Sequence, residues 1–398
     1  MNDRKKSNRR EFLKGRAAAQ AARRLAADSL PPPDTHAAAR RSASAEKDTD
    51  KKTDTSPRNR NSTARTGDSP TEKDRIASHL VEFSNNAMGC QFQFLLNLQE
   101  YPQAADAVLE CFRIIEDIEQ QMSTYRPDSD INRINHAPPD QPVRCPQALF
   151  ECLSLAQEIA KQTGGAFDHT SGPLTRVWGF ERRQPAIPSD SDLQTALARV
   201  GYQFVELAPD NRSVTLGLPE MQLNLGAIGK GYALDRCAEH LDSNGVNDYL
   251  IHGGQSSVLA RGKQTRTRQQ AAPPPSGSQD RPVPRRRGNA GTHAPGGWTI
   301  GITHPSRPKH RLTTINLLDQ ALGTSGSSRQ AFYHRGKKLS HTIDPRTGRP
   351  SSEILSATVI SESAARCDAL ATALCVLPIS EARQLACRLG LQALLFYE

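Results

Sequence analysis

The chain has 398 residues, a hydrophobic share of 36% and a formal net charge of +9. That length suits one large domain or two ordinary ones, no apolar run reaches the ~18 residues of a membrane helix, and eight scattered cysteines without a Cys-x-x-Cys pair argue against a zinc site or a disulfide framework. Residues 1–80 hold 19 Lys/Arg against 11 Asp/Glu and residues 261–297 hold eight against one, so the basic charge sits in two segments and the remainder is net acidic.

Residues 1–77 contain one aromatic, Phe12, among long Ser, Thr, Pro, Arg and Asp tracts. Such a composition buries too little apolar surface to offset chain entropy, which predicts a disordered basic arm. Without aromatics between its charges the arm is no base-stacking platform, and no specific nucleic-acid binding is expected. Ser7-Asn8-Arg9-Arg10-Glu11-Phe12-Leu13-Lys14 resembles a twin-arginine export signal. Arg16 and Gln20 interrupt the apolar stretch such a signal needs, and Arg23-Arg24 follow, so the start is degenerate. The compartment stays open between cytoplasm and periplasm. No cysteine precedes Cys90, which leaves a lipid anchor unsupported.

From Leu80 the pattern becomes that of a folded domain. Alternation over Leu80–Leu98 predicts a strand pair. Apolar residues at helical spacing predict helices over Gln103–Gln121 and Gln147–Thr163, the second ended by Gly164-Gly165. Ser189 or Asp190 caps a third helix over Asp190–Val200. Tyr202–Leu207 and Ser213–Leu218 read as a hairpin, Lys230–Asn244 as a helix, and Tyr249–Leu259 as one strand broken at Gly253-Gly254. Residues 263–296, rich in Pro, Gly, Gln and Arg, read as a low-complexity insertion between strands, a kind of excursion whose closure cost grows only slowly with length.

The chemistry concentrates near the C-terminal end. Cys367-Asp368-Ala369-Leu370-Ala371-Thr372 places a carboxylate and a hydroxyl four residues apart on a predicted helix, hence on one face. Two such oxygens suit a hard cation, which commonly accompanies a phosphate substrate. The local alternative is a buried helix in which Asp368 caps the N-terminus and Thr372 bonds a backbone carbonyl. Upstream, Ser340-His341-Thr342-Ile343-Asp344-Pro345 sets an imidazole beside a turn. An ordinary histidine titrates near ~6.5 and accepts a proton at neutral pH, so a base near a metal-held phosphate outlines phosphoryl transfer. Gly226-Ala227-Ile228-Gly229-Lys230-Gly231 precedes a helix, where free N–H groups and the dipole favour phosphate. It lacks the P-loop spacing and reads equally as an ordinary glycine-rich turn.

Taken in order, six blocks resemble those of the ApbE family of flavin transferases. His341-Thr342-Ile343-Asp344-Pro345-Arg346-Thr347-Gly348 is similar to the family's His-x-Ile-Asp-Pro-x-Thr-Gly, and Asp368-Ala369-Leu370-Ala371-Thr372 to its Asp-Ala-x-x-Thr. Met88-Gly89 is similar to its Met-Gly-Thr opening, Ser123-Thr124-Tyr125 to its Ser-x-Tyr block, and Gly164-Gly165-Ala166-Phe167-Asp168 to its Gly-Gly-Ala-Phe-Asp block. Asn224-Leu225-Gly226 through Asp235 is similar to Asp-Leu-Gly-x-x-x-Lys-Gly-x-x-x-Asp, with Asn224 in place of the family's leading Asp.

The resemblance covers roughly residues 81–398 and implies an α+β fold. It implies a single catalytic domain of mixed or antiparallel sheets flanked by helices over 80–398, preceded by the arm. It also implies a magnesium-dependent FAD:protein FMN transferase. FAD would be the substrate, AMP would leave, and FMN would stay on a Thr or Ser of a target protein, in the family a subunit of a membrane redox complex. His341 would be the base. Met88, Tyr125, Ala166, Phe167, Asp168, Asn224, Lys230 and Thr342 would contact FAD, with Tyr125 stacking on the flavin ring and Asp168 accepting from it. Ala227, through its carbonyl, Asp368 and Thr372 would hold Mg2+; some relatives carry a second acid where this chain has Ala371. Two alternatives stay open: an FAD pyrophosphatase, with water in place of the hydroxyl, and a non-catalytic FAD-binding protein.

Overall fold

The computed structural model describes residues 80–181, 184–264, 296–326, 331–334, 337–351 and 353–397. The predicted arm over 1–77 and nearly all of the insertion at 263–296 lie outside the described residues. In chain order the elements are β1 (Leu80–Ala87), β2 (Cys90–Asn97), α1 (Ala104–Met122), α2 (Asp130–Asn135), β3 (Val143–Arg144), α3 (Gln147–Gln162), α4 (Gly172–Val177) and α5 (Asp190–Leu197). Then follow β4 (Val205–Ala208), β5 (Ser213–Leu216), α6 (Gly229–Ser243), β6 (Tyr249–Gly253), β7 (Ser257–Arg261), β8 (Trp298–His304) and β9 (Arg307–Leu317). The chain closes with β10 (Gln320–Gly326), β11 (Ala331–His334), β12 (Lys337–Ser340), β13 (Ile354–Ser361), α7 (Ala364–Val376), α8 (Ile379–Arg388) and β14 (Gln392–Tyr397).

Seven strands form one sheet in the order β1-β2-β6-β7-β10-β13-β14, and every neighbouring pair is antiparallel. Alternation along β2 buries Phe92, Phe94 and Leu96 completely, and the same face receives α1 through Val108, Cys111 and Ile115. Helix α7 is buried nearly all round, and its alanines let it lie close to β10 and β13. On the opposite side β8 of the β8-β9 hairpin alternates, with Trp298, Ile300 and Ile302 inward against Leu250, Val258 and Leu322. A third apolar cluster joins α4 and α5 to Ile343 through Leu174, Trp178 and Leu193.

The α+β expectation holds, with antiparallel sheets and flanking helices. Two local expectations are corrected. The single strand over Tyr249–Leu259 is a hairpin: Gly254 adopts φ +62°, and the chain turns back so that Gly253 faces Ser257. The strand begun at Tyr202 starts at Val205, because Tyr202–Phe204 is a 3-10 turn. Ser189, not Asp190, caps α5 and accepts from the Asp192 N–H.

Candidate active site

Helices α6 and α7 meet at their N-terminal ends, and each finishes the other. An α-helix leaves its first N–H groups without partners, and Ile228, at the start of α6, offers no side-chain cap. Asp368, one turn into α7, supplies it: its Oδ2 accepts from the Gly231 N–H at 2.9 Å. In return Asp235 of α6 accepts from the Ala364 N–H at 2.7 Å, the Ala365 N–H at 3.0 Å and the Ser363 hydroxyl at 2.7 Å. The approach is so close that a Cβ on Gly231 would lie 2.2 Å from the Ala364 carbonyl oxygen, so no other residue fits there. Asp368 thus caps a neighbouring helix rather than its own, whose N-cap is Ser363.

Asp368 is only 6% exposed. The Ser257 hydroxyl reaches both carboxylate oxygens, at 2.8 and 2.7 Å. Burial pushes the Asp368 carboxyl above its ordinary value, with the Lys230 ammonium pulling the other way. One turn on, Thr372 Oγ1 bonds the Asp368 carbonyl at 3.0 Å and shares a 2.8 Å hydrogen bond with Ser325 Oγ. The local alternative for Thr372 is therefore realised, while its oxygen still lies on the wall of a large cavity.

That cavity has a volume of about 1360 Å³, beyond the ~300–1,000 Å³ of sites for drug-sized ligands and on the scale of a dinucleotide. Every residue singled out in the sequence lines it. Met88 sits at its floor with φ 50°, in the turn between β1 and β2, and its Cε lies 3.3 Å from where a Cβ on Gly229 would be. Ala166, Phe167 and Asp168 contribute the wall after α3. Asp168 is engaged three times: Oδ1 accepts from the Thr170 N–H and hydroxyl, and Oδ2 from the Tyr202 N–H. Burial raises its carboxyl above the ordinary range against those bonds. These three bonds clamp the turn that shapes the wall and use three of the roughly four acceptor positions of the carboxylate.

Asn224 Oδ1 accepts from the Gly226 N–H at 2.8 Å, and its own N–H donates to the His169 carbonyl at 2.7 Å. An Asx turn needs only a side-chain oxygen, which Asn supplies as well as Asp. Ala227 and Lys230 follow on the same glycine-rich turn and line the cavity. Tyr125 is 72% exposed at the rim, so it is no packing residue and its ring face is free for a flat ligand.

His341 and Thr342 enter from the turn after β12. The turn is held hard. Arg346 forks onto Asp344 through Nε at 3.0 Å and Nη2 at 2.8 Å. Gly348, at φ +70°, inserts where a Cβ would strike Leu193 at 2.8 Å, and the Trp178 indole N–H donates to its carbonyl at 2.8 Å. Phe180 stands edge-on to the His341 ring, centroids 6.5 Å apart. Ser257, Ser325 and Trp178 lay outside the sequence reading. The serines belong to no motif, and Trp178 acts across 170 residues of chain.

Among the described residues no three His, Cys, Asp or Glu side chains cluster as a metal site. The donors at hand are all oxygens: one buried carboxylate, a hydroxyl four residues on, and a backbone carbonyl at Ala227. That set fits Mg2+, which takes one or two carboxylates and completes its shell with water and substrate phosphates, and does not fit a nitrogen- or sulfur-seeking ion.

The geometry is that of a dinucleotide-sized pocket lined by an acid, a lysine and a histidine. The description of the ApbE family matches residues 88–395. FAD:protein FMN transferase of Vibrio cholerae is 30% identical over 304 residues, covering 75% of this chain and 81% of that protein. The protein of the same description from Escherichia coli K12 is 29% identical over 279 residues, covering 69% and 71%. Among solved structures, the flavinyl transferase ApbE of Pseudomonas stutzeri in its apo form superposes with a TM-score of 0.67 at 26% identity, covering 80% of this chain and 92% of that one. The flavin transferase ApbE of Vibrio cholerae gives 0.66 at 27% identity, covering 80% and 94%. The chain belongs to the ApbE family.

Proposed function

We propose that this protein is an FAD:protein FMN transferase that uses Mg2+. The convergence of Asp368, Thr372, Lys230 and His341 on one dinucleotide-sized cavity carries the reading. FAD lies with its flavin toward Tyr125 and the Ala166–Asp168 wall, and its pyrophosphate toward Lys230 and the start of α6, where charge and the helix dipole favour an anion. Asp368, Thr372 and the Ala227 carbonyl would hold the Mg2+, which supplies charge stabilisation of phosphate oxygens when bound. His341 accepts the proton of a target Thr or Ser hydroxyl. That oxygen bonds to the FMN-side phosphorus as the phosphorus–oxygen bond to AMP breaks, so AMP leaves and FMN remains as a phosphoester. The clamp on the 344–348 turn keeps the imidazole in place through this step, which is how positioning contributes to rate.

The test is incubation of the full chain with FAD, Mg2+ and candidate acceptor proteins, read by intact mass and by AMP release. An FMN adduct on the acceptor with equimolar AMP supports transfer. Free FMN and AMP in equal amounts, with no adduct on any acceptor, would make the protein a pyrophosphatase.

A further inference from the structure

One feature of the cavity wall takes no part in the chemistry above. The β8-β9 hairpin gives Gly301, Thr303, His304 and Pro305 to the wall. From Gly296 to Leu318 it carries no Asp or Glu, yet holds Arg307, Lys309 and Arg311. All three are exposed, and among the described residues no carboxylate pairs with them, whereas most of the other described arginines do find an acid. Arg311 is opposite Thr303 in the register, and its guanidinium lies across the wall: a Cβ on Gly301 would come within 2.7 Å of Arg311 Nε. Arg311 therefore stands beside Gly301 of the cavity wall, with Arg307 and Lys309 on the same strand, in a chain whose remainder outside residues 1–80 and 261–297 is net acidic.

Unpaired charge at the mouth of a cleft steers partners of opposite sign and fixes their register. We propose that this hairpin is the docking edge for the acceptor protein, and that it receives an acidic segment beside the acceptor hydroxyl. Charge complementarity commits the choice: exposed cations without acidic partners attract an acidic segment, which the net-acidic remainder of the domain would not. The role assigned to the partner rests on the transferase reading, while the binding itself does not.

The test titrates the full chain, without FAD, against a short fluorescent peptide with one Thr between Asp residues and against its Asn counterpart. The expected result is tighter binding of the acidic peptide by about tenfold or more at low salt, lost in added salt and in R307E/K309E/R311E, and weakened in Arg311→Gln. FAD affinity, measured separately, is expected to be equal in all three proteins, and matched melting temperatures show that the exposed changes leave the fold alone. Equal binding of both peptides, or no loss in the triple variant, overturns the proposal. A fall in FAD affinity in the triple variant would assign the hairpin to the nucleotide instead. Binding to phosphatidylglycerol vesicles that the triple variant loses, with no peptide discrimination, would assign it to a lipid surface. If FAD itself fails to bind the wild-type chain, the transferase reading fails, and the peptide result stands independently.

Discussion

In the proposed mechanism His341 and Asp368 would carry different kinds of chemistry, and their variants separate them. His341→Ala is expected to slow FMN transfer by about 10²–10⁴-fold, the usual worth of a general base, with FAD affinity and melting temperature unchanged. An unchanged rate would remove the imidazole from the mechanism. Asp368 also holds the Gly231 N–H and the Ser257 hydroxyl, so truncation to Ala would confound catalysis with the ~1–3 kcal/mol cost of unpaired buried donors. Asp368→Asn keeps an acceptor oxygen and removes the charge. It is expected to stay folded and to lose Mg2+-dependent turnover; retained turnover would dismiss Asp368 as a ligand. A third residue matters for stability alone. His169 is fully buried, neither ring nitrogen has a hydrogen-bond partner among the described residues, and burial pushes it down from 6.5 to about 4. The unfolded chain then binds the proton more readily, so stability falls as pH drops from 6.5 toward 4, by on the order of 3 kcal/mol in all. Urea midpoints for His169→Phe are expected to lose that acid limb, and an identical slope in wild type and variant would contradict it. The sequence showed the chemical identity of these side chains but not their second partners. Ser257 sits in Gln255-Ser256-Ser257, a stretch with no periodicity or motif to mark it.

At the scale of elements, legibility followed the range of the interactions. Helices α1 and α3 repeat their apolar residues every third or fourth position, and β2 alternates, so local pattern located them to within a residue or two. The hairpin of β6 and β7 was missed because both strands are buried on both faces and show no alternation. The resemblance located the His341 turn, but what holds it is tertiary. Trp178 and Gly348 meet across 170 positions, and no local rule encodes that contact. Trp178→Phe keeps the ring in its cluster and deletes one hydrogen bond. It is expected to cost about 1 kcal/mol and to lower turnover several-fold while FAD affinity holds. A fall in FAD affinity with unchanged turnover would show that the turn shapes the pocket instead of aiming the histidine.

For the whole molecule, we propose that residues 80–398 form the catalytic domain and that residues 1–77 and 263–296 are dispensable for chemistry. A chain starting at Ser78, with 265–295 replaced by a short Gly/Ser loop, is expected to keep FMN transfer within a few-fold of the full chain. Loss of transfer with intact melting behaviour would mean that these segments engage the acceptor. The net charge of +9 describes the sequence and not the working surface. Outside residues 1–80 and 261–297 the chain is net acidic, and Arg307, Lys309 and Arg311 stand on one strand of the β8-β9 hairpin without an acidic partner among the described residues.

The exchange of carboxylates between α6 and α7 also bears on how the site comes into being. Gly229 and Ala364 begin helices far apart in sequence, and the low-complexity insertion falls between them. Neither helix start has all its N–H groups bonded until the other arrives, so the Gly226–Gly231 turn and the Asp368 carboxylate take their places together. Lengthening the intervening chain raises the entropic cost of that encounter only logarithmically, by about 0.6 kcal/mol for each doubling. Insertions accumulated there slow the meeting slightly and leave its product unchanged, which makes this stretch of the chain a permissive place for the fold to have grown.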